Sequence, residues 1–218
     1  MFSKELMGRL KRSGVVAGFA VDQVEHAVPT AEALLAAGID AIELTLRTDV
    51  ALDAVKAIAD GLPDILLGVG TILTPEQLVQ VKEAGAHFGV SPGMNPRVVQ
   101  AAVEHGLPFA PGICTPSDLE AAIELGCRFV KFFPAEASGG VNYLKSMAAP
   151  YRHLGIQYFP LGGLNAGNMK DYLELDNVPT IGGSWIVEKG LVESGDWNGL
   201  SARAAEVREM INKGACNV

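Results

Sequence analysis

The sequence predicts an α/β protein, a single domain over residues 1–218 folded as an eight-stranded parallel (β/α)8 TIM barrel, with an extra N-terminal helix over 1–13. Three observations predict it. Short β-rich runs alternate throughout with Ala/Leu/Glu-rich segments of helical period, as expected of βα units and a parallel sheet. Glycine closes several helices, at Gly38, Gly85, Gly106 and Gly126, and a strand follows each within a few residues. The helix–glycine–strand repeat gives about eight units, and 218 residues suit one barrel. A doubly wound open sheet is the alternative. That fold carries a glycine-rich nucleotide fingerprint after its first strand, where this chain has Asp22-Gln23-Val24-Glu25.

Residues 1–13 set Phe2, Leu6 and Leu10 at helical spacing among basic residues, a short helix closing one end of the domain. Gly14–Val21 is the first strand, with a helix from near Val24. Ala41–Leu46 is the second, with a helix from near Val50. Ile65–Val69 precedes a helix at Pro75, where Thr74 and Gln77 are spaced as a capping box. His87–Val90 precedes a helix at Pro96, because proline at the first helical position lacks only an N–H that would be unpaired anyway. Pro108–Ala110 precedes a helix at Pro116, with a second box in Thr115 and Asp118. Phe129–Phe133, Gln157–Pro160 and Thr180–Gly182 complete the strands. Helices follow near Val141, Ala166 and Trp197, the last amphipathic over Gly199–Ile211 before a tail, 214–218, expected to fray.

Composition narrows the partners. A net charge of -8 argues against nucleic acid or an anionic membrane, and leaves an anionic small molecule held in a locally positive site. Cys114, Cys127 and Cys216 lie far apart with no CxxC pair, as expected of reduced thiols in a cytoplasmic protein. No stretch is apolar enough to span a bilayer. The first residues lack the apolar core of a secretory signal, and Glu5 speaks against a transit peptide. The four histidines are scattered without metal-ligand spacing, so no metal is expected.

In such a barrel the reacting groups gather at the carboxyl ends of the strands. Lys131 lies in the apolar run Phe129-Val130-Lys131-Phe132-Phe133, where an ammonium must pair with an anion or shed its proton. The free amine is a nucleophile suited to Schiff-base chemistry. A structural ion pair or a snorkelling side chain is the alternative. Glu43, Thr45 and Arg47 share one strand face if that strand continues, with Glu43 and Arg47 roughly 13 Å apart at ~3.3 Å per residue. Glu43 would then lie inside the barrel mouth, beside Lys131 as general base and acid, and Arg47 at its rim. A Glu43–Lys131 ion pair without chemistry is the other reading. Gly162-Gly163 and Gly182-Gly183-Ser184, at the last two strand ends, match where barrels bind phosphate through backbone N–H groups.

Together these stretches resemble a known family. They are Glu43-Leu44-Thr45-Leu46-Arg47-Thr48, Gly68-Val69-Gly70-Thr71, Ser91-Pro92-Gly93, Pro111-Gly112-Ile113, Val130-Lys131-Phe132-Phe133-Pro134-Ala135-Glu136, Gly139-Gly140-Val141, Gly162-Gly163 and Ile181-Gly182-Gly183-Ser184-Trp185. In family order over about residues 14 to 190, the chain is similar to the class I 2-keto-3-deoxy-6-phosphogluconate (KDPG) aldolases, also described as 4-hydroxy-2-oxoglutarate aldolases. The resemblance implies a homotrimeric lyase without metal or free cofactor. Lys131 would form the Schiff base and Glu43 act as acid and base. Arg47, Thr71 and Pro92 would surround the pyruvate half, and Gly162, Gly163, Gly183 and Ser184 the phosphate. Phe133 and Gly182 complete the expected substrate-binding set. Two departures stand out: Val16-Ala17-Gly18-Phe19 where the family usually has Pro-Val, and Leu161 where it often has threonine. Leu161 offers no hydroxyl to the substrate, so the epimeric phosphogalactonate branch stays open. The rivals outside aldol chemistry are a phosphosugar isomerase or epimerase using Glu43 as base, and a non-catalytic phospho-ligand binder.

Overall fold

The computed structural model describes residues 1–215. Helix α1 (Lys4–Ser13) starts where the Ser3 hydroxyl accepts from the Leu6 N–H and stops at Gly14, φ 68°. Then follow β1 (Val15–Phe19), α2 (Ala27–Ala36), β2 (Ala41–Thr45), α3 (Ala51–Gly61), β3 (Leu66–Gly70), α4 (Pro75–Glu83), β4 (Phe88–Val90) and α5 (Pro96–His105). The second half holds β5 (Phe109–Ala110), β6 (Gly112–Ile113), α6 (Pro116–Glu124), β7 (Phe129–Phe132), α7 (Gly140–Ala148), β8 (Gln157–Pro160), α8 (Met169–Leu173), β9 (Ile181–Gly183), α9 (Lys189–Ser194) and α10 (Trp197–Ala215). Both expected capping boxes form, Thr74 with Gln77 and Thr115 with Asp118.

The strands form two parallel sheets, one of six in the order β5-β4-β3-β2-β1-β9 and one of three in the order β6-β7-β8. The expected fifth strand is therefore two short ones. Pro111, between them, has no N–H to give a ladder, although its carbonyl still accepts from the Lys131 N–H at 2.9 Å. The first strand is shorter than expected because Gly14 caps α1. The helix expected near Val24 opens as a 3-10 turn, Val24–His26, before α2. Helix α9 was not expected from the sequence. Helix α10 runs past Ile211 to Ala215, so residues 214 and 215 are helical rather than frayed, while 216–218, with Cys216, lie outside the described residues. Among the described residues no helix is long and apolar enough to cross a membrane.

Strand side chains alternate between two apolar clusters, as the two-residue period requires. The larger packs Ile42, Leu44, Leu67, Val69, Val130 and Tyr158 against the helices. The smaller joins Val16, Ala41, Leu66, Phe88, Phe129 and Phe159 from both sheets, with Phe2, Leu6, Met7 and Leu10 of the N-terminal segment packed on it. Phe2 closes that end, its ring 4.8 Å from Phe129 and 5.9 Å from Phe88. The smaller cluster contains Ala41 and Phe129, so the same parity turns Glu43 and Lys131 toward the space that both sheets enclose.

His87 joins β3 to β4 through the Leu67 N–H, which donates to Nδ1 at 3.1 Å. Partial burial first, and the charge of Arg9 second, lower the pKa of His87 below its ordinary value. The neutral ring is thus favoured by folding. Its contribution is complete above the unfolded pKa of about 6.5 and fades as pH falls through the lowered folded value. Urea midpoints measured from pH 7.5 downward are expected to decline modestly below about pH 6.5, and His87→Gln to flatten that decline.

Candidate active site

Glu43 and Lys131 stand on different sheets and meet across the inner space. Lys131 Nζ lies 3.2 Å from Glu43 Oε1, and the two residues are 5% and 1% exposed. The second carboxylate oxygen, Oε2, is buried without a hydrogen-bond partner. Lys131 Nζ also lies 5.2 Å from the centre of the Phe133 ring. An amine and a carboxylate so placed can exchange a proton, and Oε2 retains lone pairs for a third participant.

Glycines make the room. Gly70, across the ladder from Thr45, would overlap Glu43 Oε1 if it bore a Cβ. Gly182 lies directly against the Leu161 side chain, and Gly68 against the Phe88 ring. Thr71, just past β3, takes φ 63°, a left-handed conformation few non-glycine residues adopt. Such strain gathers at functional sites.

The pair opens into a cavity of about 250 Å³ at the carboxyl ends of the strands. Of the expected residues, it gathers Glu43, Lys131, Arg47, Phe133, Gly162, Gly163, Gly182 and Ser184. Gly183 lies beside this wall, packed on the Trp185 ring, while Thr71 and Pro92 stand at the ends of β3 and β4 outside the lining. Strand β2 ends at Thr45, yet Arg47 still lines the cavity. The Arg47 N–H donates to the Thr45 carbonyl at 2.8 Å, a tight turn that replaces the expected extended path. Arg47 forms no ion pair among the described residues.

Leu161, one of the two departures, lines the cavity. The sequence reading missed Gly18 and Ala20 of the β1 end and Lys189 of α9, all in the lining. Gly18 carried a signal, since a glycine inside a strand often marks close approach by another group. Lys189 carried none. It pairs with Asp22 at 3.0 Å and, one turn along its own helix, with Glu193 at 3.4 Å. A larger cavity, about 480 Å³, opens at the amino ends of the strands between α1, α5 and the start of β7. It is mainly apolar and its lining holds no acid–base pair, unlike that of the smaller one. Among the described residues no group of His, Cys, Asp and Glu converges as metal ligands would.

Known proteins are similar to this chain in sequence and fold. The family described as KDPG and KHG aldolase matches residues 6–202. The KHG/KDPG aldolase of Escherichia coli (strain K12) is 44% identical over 195 residues, covering 89% of this chain and 91% of the relative. The KDPG aldolase structure from Legionella pneumophila, with pyruvate captured as a covalent carbinolamine, superposes with a TM-score of 0.88 at 36% identity, covering 92% of this chain and 97% of that one. The Zymomonas mobilis 2-keto-3-deoxy-6-phosphogluconate aldolase with 3-phosphoglycerate gives 0.86 at 34% identity, with 94% and 96% covered. By matched length, identity and fold, this chain belongs to the KDPG and KHG aldolase family.

Proposed function

We propose that this chain is a Schiff-base (class I) aldolase, a carbon–carbon lyase that cleaves 2-keto-3-deoxy-6-phosphogluconate to pyruvate and glyceraldehyde 3-phosphate. The same chemistry extends to 4-hydroxy-2-oxoglutarate, giving pyruvate and glyoxylate. The buried Lys131–Glu43 pair, with one carboxylate oxygen left unpartnered, carries the reading.

Glu43 takes a proton from Lys131, and the free amine attacks the ketone carbon to give a carbinolamine. Glu43 gives that proton back to the carbinolamine hydroxyl, which leaves as water; this yields the iminium and regenerates the carboxylate. The carboxylate next removes the proton of the carbon-4 hydroxyl, and the bond between carbons 3 and 4 breaks as the iminium takes up its electrons as an enamine. Glyceraldehyde 3-phosphate leaves. Glu43 returns a proton to the enamine, and hydrolysis frees pyruvate and the amine. Arg47, in no ion pair among the described residues and a fork of donors, suits the substrate carboxylate. Thr71 and Pro92 border the pyruvate half from the neighbouring strand ends. Gly162, Gly163, Gly183 and Ser184 take the phosphate. The N–H groups of Gly162 and Gly163 are engaged by no acceptor among the described residues, which supports that role. No cofactor beyond the covalent lysine adduct enters the scheme.

Leu161 favours a second reading of the substrate. An apolar wall at this point gives no hydrogen bond to a substrate hydroxyl, so the enzyme accepts the phosphogalactonate-derived epimer as well.

We read the two sheets as one closed (β/α)8 barrel and the chain as one domain. In support, β5 and β6 are halves of a strand interrupted at Pro111, and the Tyr158 N–H of β8 donates at 2.8 Å to the Asn177 carbonyl just before β9. A homotrimer working in the cytoplasm accompanies this proposal.

Borohydride reduction in the presence of pyruvate is expected to leave the reduced ligand on the Lys131 peptide, with loss of activity. A phosphosugar isomerase or a binding protein with the same cavity would leave that peptide unmodified, and such a result overturns the proposal.

A further inference from the structure

Three segments meet beside the Gly162–Gly163 turn. Its glycines adopt φ 95° and 85°, a region that glycine reaches freely, and glycine brings no side chain to hold the turn in one shape. The loop after β7 presses on it: Gly162 packs against Phe133 and Pro134, and a Cβ on Gly163 would lie 2.6 Å from the Cβ of Glu136. The Ala135 N–H donates to the Leu161 carbonyl at 2.7 Å, and the Glu136 N–H to the Gly162 carbonyl at 3.0 Å. On the other side, Asn168 Nδ2 donates to the Gly163 carbonyl at 3.2 Å, while its Oδ1 accepts from the Asn165 N–H at 2.8 Å. These bonds engage the turn's carbonyls from outside the cavity and leave its N–H groups unused.

The Glu136 carboxylate is itself held. Tyr172, fully buried in α8, donates its hydroxyl to Glu136 Oε1 at 2.5 Å over Gly140, the first residue of α7. We propose that Tyr172 and Glu136 are positioning residues for the substrate phosphate: their hydrogen bond locks the β7 loop, and through it fixes the Gly162–Gly163 turn with its N–H groups aimed at the anion. This inference rests on the phosphate reading given above. Neither side chain lines the cavity, so both act through the turn. Burial, reinforced by the neighbouring carboxylate, drives the Tyr172 pKa far above the ordinary phenol value, so the hydroxyl remains a donor throughout the neutral range.

The test compares wild type with Tyr172→Phe, Glu136→Ala and Glu136→Gln, using inorganic phosphate as a competitive inhibitor of pyruvate release. Pyruvate trapping by borohydride serves as a phosphate-free control. Tyr172→Phe and Glu136→Ala are expected to raise the phosphate Ki and the KM for the phosphorylated substrate about tenfold, the scale of one net hydrogen bond. Pyruvate trapping should change by less than about twofold, well below that scale. Glu136→Gln keeps an acceptor for the tyrosine and is expected to restore both constants. Equal losses in phosphate affinity and pyruvate trapping would make the pair merely structural and overturn the inference. So would an unchanged phosphate Ki in the two truncating variants. A wild type that phosphate does not inhibit would overturn the phosphate reading itself, and the inference with it.

Discussion

Replacing Lys131 with methionine is expected to reduce pyruvate release by on the order of 10⁴-fold or more, the scale seen when a covalent nucleophile is removed. The same change should destabilise the fold. Glu43 is 1% exposed, and its Oε2 already lacks a partner, so loss of Lys131 removes the one hydrogen bond its carboxylate makes among the described residues. Breaking a buried pair from one side costs about 3–5 kcal/mol, whereas replacing both members with apolar groups is often neutral or stabilising. The double variant Lys131→Met, Glu43→Leu should therefore recover most of the lost stability and none of the activity. Denaturant midpoints and coupled pyruvate assays on the three proteins separate the two effects. A single variant that keeps even a hundredth of the wild-type rate would remove Lys131 from the chemistry.

Gly70→Ala is expected to be nearly as damaging, although Gly70 bears no functional group. Its φ is not in the left-handed region, so the backbone accepts alanine. The added methyl instead falls on Glu43 Oε1 and turns the carboxylate away from Lys131. Loss of a positioned general base is worth about 10²–10⁴-fold, and the decrease should appear in kcat for carbon–carbon cleavage. Overpacking of this kind costs about 1–3 kcal/mol, so the variant remains folded by circular dichroism. Activity within threefold of wild type would show that Glu43 does not need its present orientation.

How much of this was legible beforehand follows from where charge meets apolar sequence. Lys131 stood out because its neighbours Phe129, Val130, Phe132 and Phe133 leave an ammonium no route to water. Glu43 stood out because it lies near the carboxyl end of the second strand, on one face with Thr45 and Arg47. Their parity then put both on the inner face, and the structure brings them to 3.2 Å. Helix starts were readable wherever a side chain closes the cap locally, as at Thr74 and Thr115. What escaped is non-local. Arg47 reaches the cavity through a turn after β2, not along a strand. Lys189 arrives on a helix whose six residues carry little periodicity. The clamp from Tyr172 to Glu136 joins residues 36 apart, and no spacing rule announces it. The division of the fifth strand was foreshadowed by Pro111, whose ring denies the ladder a donor.

The contact of Gly182 with Leu161 has an evolutionary consequence. Residue 161 occupies the volume that any side chain at 182 would require, so adaptation at this wall is contingent on order. A side chain at residue 182 is accommodated more readily once residue 161 is smaller, and the reverse order passes through an overpacked intermediate that costs about 1–3 kcal/mol. Changes in substrate handedness along this branch should be recorded as linked exchanges at the two sites, and a selection library that randomises them jointly will reach solutions closed to single-site walks.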